Sequence, residues 1–144
     1  MRIAPVLLAG AFALAGCGKS DTPAESPATG EAVTESPAPA VEPTAAMGEQ
    51  VFKRCVACHT IDAGGSNGIG PNLHGIVGRA VASHAGFSYS SAMKAKGGVW
   101  DEAGLDTYLE APMKAVPGTR MAFAGIIDPA DRKALLLYLE DQSK

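Results

Sequence analysis

Cys55-Val56-Ala57-Cys58-His59 places two thiols three residues apart and an imidazole directly behind the second. Cys-x-x-Cys-His is the attachment pattern for c-type haem. The spacing has a mechanical basis: on a helical turn the two thiols reach both vinyl groups along one haem edge, and the next residue projects its imidazole toward the iron. Two rival readings fail on what surrounds the motif. A zinc half-site needs a second cluster of Cys or His, and the sequence offers none. A thioredoxin-like redox pair needs strand-helix-strand alternation around it, which is also absent.

The remaining cysteine, Cys17, closes an N-terminal stretch that begins Met1-Arg2 and continues as a mostly apolar run from Ile3 to Ala15. A charged start, a short hydrophobic region and small residues before a cut define an export signal over residues 1–16, too short for a comfortable membrane span. Leu14-Ala15-Gly16-Cys17 resembles the lipobox of bacterial lipoproteins. That resemblance implies removal of the signal and lipidation of Cys17, and several acyl chains at about 0.8 kcal/mol per buried CH₂ make release from a membrane slow. Ordinary secretion with an incidental Cys17 is the alternative. Gly18 follows the cysteine where aspartate is the familiar inner-membrane retention signal of enteric bacteria, so this sorting rule permits the outer membrane, while respiratory partners favour the inner one.

Residues 17–46 are dominated by Pro, Ala, Glu, Ser and Thr and carry almost no large apolar side chains. Such a segment buries too little surface to offset the entropy of ordering, so we expect a disordered, lipid-anchored tether. Five prolines and four glutamates stiffen it, giving a reach between about 30 Å as a coil and about 90 Å as extended polyproline. The tether is acidic, whereas residues 47–144 balance ten basic against ten acidic side chains. No basic stripe marks a nucleic-acid surface, and we expect a monomer without a nucleic-acid partner.

From residue 47 the pattern turns helical. The spacing predicts a first helix over Met47–Ala57 with Gly48 and Phe52 on one face, and a short helix over Ser90–Lys96. Asp101 can cap a third helix carrying Leu105, Tyr108 and Leu109, which should stop before Pro112. Asp128-Pro129 opens a last helix with Leu135, Leu136, Tyr138 and Leu139. No alternating strand pattern appears, and long glycine-rich loops connect the helices. We expect an all-α domain of helices and long loops wrapped around one covalent haem.

Several ordered stretches give a more specific match: Gly48–Cys55, Gly70-Pro71-Asn72-Leu73-His74-Gly75, Gly78-Arg79, Gly86-Phe87-Ser88-Tyr89-Ser90 and Pro117–Gly125. On these residues 47–144 resembles the mitochondrial-type class I cytochromes c and their α-proteobacterial relatives. The resemblance implies the cytochrome c fold, haem c on Cys55 and Cys58, and iron held by His59 and Met121. From the residue alone loop packing would be the commoner fate of Met121, with an open iron site or His74 or His84 as ligand. A soft thioether would favour ferrous iron.

The resemblance further implies that the Pro71 carbonyl accepts from the outer nitrogen of His59. It implies that Arg79, Tyr89 and Trp100 surround a buried propionate, that Tyr108 and Thr119 tune the methionine side, and that Phe123 shields the haem. Gly48, Phe52, Leu135 and Tyr138 resemble the contact between terminal helices, and His74 a histidine that bridges loops. His84 is expected to be solvent-exposed. The family's usual setting lies between a quinol-oxidising cytochrome bc1-type complex and cytochrome c oxidase, which implies a mono-haem electron carrier at the periplasmic face of a membrane. A haem enzyme or gas sensor with an open iron site is the alternative. Mitochondrial relatives ring the haem edge with lysines; the matching positions here are Arg54, Met113, Lys114 and Arg120, and Ile126-Ile127-Asp128 has no lysine cluster, so weak electrostatic steering is expected.

Overall fold

The computed structural model describes residues 41–144; the expected signal peptide, the lipidation expected at Cys17 and most of the expected tether lie outside the described residues. Among the described residues five helices occur in the order α1 Ala45–Phe52, α2 Ser91–Lys96, α3 Glu102–Glu110, α4 Pro112–Ala115 and α5 Pro129–Asp141. Among the described residues the β-type pairing is a single antiparallel bridge between Ala80 and Val99. No helix there is long and apolar enough to cross a membrane.

The frame is the crossing of α1 on α5. Gly48 makes it close: a methyl group at this position would lie 2.0 Å from the Ala134 carbonyl oxygen and 2.7 Å from Tyr138 Cβ. Only glycine lets the two backbones approach this far. Phe52 and Tyr138 close the same contact with ring centroids 5.3 Å apart. On α5, Arg132, Leu135, Leu136 and Leu139 are buried, at the i, i+3, i+4, i+7 spacing of one helical face. Leu105, Tyr108 and Leu109 of α3, Trp100 and Ile126 complete the core.

The expected boundaries need two corrections. The first helix begins at Ala45, because the Thr44 hydroxyl accepts from Met47 N at 3.3 Å and caps it there. It ends at Phe52 and not at Ala57. Lys53, Arg54 and Cys55 donate to carbonyls three residues back, at 3.3, 3.1 and 2.7 Å, so the chain tightens into turns before the motif begins. Pro112 does stop α3, yet it also occupies the first position of α4, where a missing amide hydrogen costs nothing. Asp101 and Asp128 cap α3 and α5 as the sequence indicates, Asp101 Oδ1 accepting from Gly104 N and Asp128 Oδ1 from Ala130 N, while Ser90 stands just outside α2 as its cap, Oγ accepting from Met93 N.

Candidate haem site

The motif leaves α1 through these turns, with Cys58 N and His59 N both donating to the Cys55 carbonyl at 3.0 Å. Both thiols are free and half-buried. Burial pushes the Cys55 thiol above its usual pKa, against the pull of Arg54. Among the described residues no group of three or more His, Cys, Asp or Glu side chains is arranged to hold a metal ion.

His59 is fixed by what holds its other nitrogen. Nδ1 donates to the Pro71 carbonyl at 2.7 Å; a carbonyl only accepts, so Nδ1 carries the hydrogen and Nε2 keeps a free lone pair. Burial lowers the imidazole pKa and the Pro71 carbonyl raises it, with burial the larger effect. The ring is wedged as well: a methyl group on Gly70 would lie 2.2 Å from His59 Cε1. A neutral imidazole with its lone pair on Nε2 has the form in which histidine ligates a metal.

The Pro71 segment owes its shape to Asn72, 2 % exposed. Its Nδ2 donates to Thr60 Oγ1 at 2.7 Å and the Asp62 carbonyl at 3.0 Å, and its Oδ1 accepts from His74 N at 2.9 Å. Sequence reasoning gave Asn72 no role. The His74 side chain does not bridge loops as expected: Nδ1 is buried without a partner, and the bridging passes through the backbone of this residue.

Arg79, Tyr89 and Trp100 come together. Trp100 N donates to the Arg79 carbonyl at 2.9 Å. Tyr89 acts on the Arg79 charge, offsetting part of a pKa lowered by burial. The guanidinium donates to the carbonyls of Asn72 at 3.1 Å and His74 at 3.2 Å. It also lies 3.2 Å from His84 Nδ1. His84 is therefore half-buried and not simply solvent-exposed; burial, then the Arg79 charge, lowers its pKa.

On the opposite loop, the Tyr108 hydroxyl and Thr119 Oγ1 share a hydrogen bond of 2.8 Å, and Met121 N donates to the same Oγ1 at 3.3 Å. Burial raises the Tyr108 pKa. Arg132, also unforeseen, anchors the end of this loop by donating to the Ile126 and Ile127 carbonyls at 2.8 and 2.9 Å while pairing with Asp106 at 2.7 Å. Its signal was a cation on the apolar face of α5.

Cys55, Leu73, Tyr89, Met121 and Phe123 all pack against the core yet stay half-covered. Two free thiols, a lone pair on His59 Nε2, a thioether and a half-covered apolar surface are the donor set and lining that a haem needs.

Family comparison agrees: the Cytochrome c family model matches residues 45–143. The chain belongs to the cytochrome c family. It is 50% identical over 101 residues to cytochrome c of Arabidopsis thaliana, covering 69% of this chain and 90% of the relative. Cytochrome c2 of Rhodomicrobium vannielii is 47% identical over 95 residues, 66% of this chain and 76% of that one. The solved structure of cytochrome cH from Methylobacterium extorquens superposes with a TM-score of 0.64 at 41% identity, over 68% of this chain and 98% of its own. As a cytochrome c, the protein carries one covalent haem c through Cys55 and Cys58, with the His/Met ligation typical of the family, and is an electron carrier.

Proposed function

We propose that this cytochrome shuttles single electrons at the periplasmic face of a membrane, held there by lipid on Cys17, from a cytochrome bc1-type complex to a cytochrome c oxidase. His59 and Met121 would ligate its iron. The observation that carries the His59 assignment is the Pro71 hydrogen bond, which fixes the His59 tautomer and leaves Nε2 for the metal.

When bound, the haem supplies a one-electron couple. The chain does the rest. Cys55 and Cys58 would hold the haem covalently, and His59 and Met121 would both ligate its iron, which would bar substrates from it. Arg79, Tyr89 and Trp100 supply donors for a propionate whose burial would otherwise be costly. Tyr108 and Thr119 hold the backbone that presents Met121, and Phe123 shields the face beside it. A partner approaches the exposed chain around the two cysteines. The tether, residues 17–46, keeps the domain concentrated near membrane partners without requiring tight docking.

Carbon monoxide tests the closed site. The reduced protein is expected not to bind it, while Met121→Ala binds it rapidly; rapid binding by the unaltered protein would support the haem-enzyme or gas-sensor alternative instead. Cys17→Ser is expected to move the cytochrome from the membrane to the soluble fraction, and retention of the variant on the membrane would contradict the anchor.

A further inference from the structure

Between Ala80 and Gly86 the chain holds a strained residue: Ala82 has φ 58°, in the left-handed region that side chains rarely adopt. Such a conformation persists only where its surroundings hold it. Val81 N donates to the Gly98 carbonyl at 2.9 Å, Ser83 Oγ to the Ala80 carbonyl at 2.6 Å and Asn67 Nδ2 to the Ala85 carbonyl at 3.2 Å, and His84 Nδ1 lies 3.2 Å from Arg79 Nη1. Of these contacts only the last can be switched by a proton.

A guanidinium has donors and no acceptor, so His84 Nδ1 accepts and the hydrogen of the ring sits on Nε2. The imidazole must be neutral to do this. Arg79 Nη1 sends its two hydrogens to the His74 carbonyl and His84 Nδ1, and Nη2 sends one to the Asn72 carbonyl. Among the described residues the other Nη2 hydrogen and the one on Nε meet no partner, and a pair of donors on one guanidinium suits a carboxylate. The charge acting on the His84 ring is that of Arg79, and Tyr89 acts on Arg79 in turn. Asn67 and Ser83 bring only neutral groups, Gly98, Val99 and Trp100 carry no charge, and Lys96 is engaged with the Trp100 ring, 4.7 Å from its centroid.

We propose that His84 is the positioning residue of Arg79: as a neutral acceptor it ties Nη1 to the loop and keeps the two remaining donors available to a haem propionate. This rests on the reading of Arg79 as a propionate donor. A protonated ring can only donate and carries the same sign of charge as the guanidinium, so protonation releases Arg79 and the loop together. The tie is complete above the usual histidine range and is lost as pH falls through the lowered value of His84.

The Val81 amide reports on the loop through its bond to Gly98. In the holoprotein, its protection against hydrogen exchange, relative to a free chain, is expected to fall about tenfold from above to below the midpoint of the NMR titration of the His84 ring. His84→Gln, whose amide oxygen accepts and never titrates, is expected to keep the high protection on both sides, and His84→Leu the low protection on both. Protection that is equal on both sides in the unaltered protein, or a glutamine variant as unprotected as the leucine one, would overturn the proposal. Reduction potential provides the second readout, with the electron supplied by an electrode and the proton by water: it is expected to fall as pH rises through the titration, because the positive ring disfavours the oxidised state, and to lose this step in His84→Gln. A potential without the step, alongside the predicted change in protection, upholds the role of His84 and contradicts the propionate reading of Arg79 instead.

Discussion

Between Cys58 and Arg79 the chain is knitted to itself. Thr60 Oγ1 donates to the Ser66 carbonyl and accepts from Asn72, Leu73 N donates to the Thr60 carbonyl, and Asn72 N donates to Asn67 Oδ1. Between Pro117 and Ala124 the described hydrogen bonds converge on one residue: Thr119 N reaches the Val116 carbonyl, and Thr119 Oγ1 holds both Tyr108 and Met121 N. The histidine side is thus organised by the protein alone. The methionine side hangs on a single hydroxyl. Local opening follows sparse hydrogen bonding and low burial, so the methionine loop is the part that yields first.

The comparison breaks most visibly at Asn72. Asn72→Ala removes three side-chain hydrogen bonds in a buried setting and is expected to cost about 3 kcal/mol of global stability, read by thermal unfolding of the holoprotein. A loss below about 1 kcal/mol would mean that the histidine loop is held by something other than this network. On the other side, Thr119→Val leaves the buried Tyr108 hydroxyl and Met121 N unpaired, for an expected cost of about 1–2 kcal/mol. Its signature is local: amide exchange around Met121 accelerates while exchange around Pro71 is unchanged. Equal acceleration on both sides would merge the two loops into one cooperative unit. Smallest is Tyr108→Phe, about 1 kcal/mol, because the Thr119 hydroxyl it strands is only half-buried and finds water.

The asymmetry also marks how far the sequence could be read. Cys55, Cys58 and His59 announce their chemistry by spacing, and Gly48 with Phe52 announces a helix contact, because glycine on an apolar face means close approach. Caps at Asp101 and Asp128 were legible for the same reason: their hydrogen bonds are local. Asn72 was not, since Thr60 and Asp62, the acceptors of its amide, lie 12 and 10 residues away and nothing local distinguishes it from a surface polar group, and Arg132 showed only as a cation on an apolar helix face while its acidic partner Asp106 lies 26 residues away. The end of α1 at Phe52 was equally hidden. Helical periodicity continues through Ala57, and the switch to three-residue pairing depends on the tertiary position of the motif. His84 looked like an ordinary loop histidine until the fold set it beside Arg79.

Met121 carries the central claim. The oxidised holoprotein is expected to show the weak charge-transfer absorption of a methionine sulfur bound to ferric haem, and Met121→Ala is expected to abolish it while the covalent haem remains. Absence of the band in the unaltered protein, or its persistence in Met121→Ala, would contradict the account.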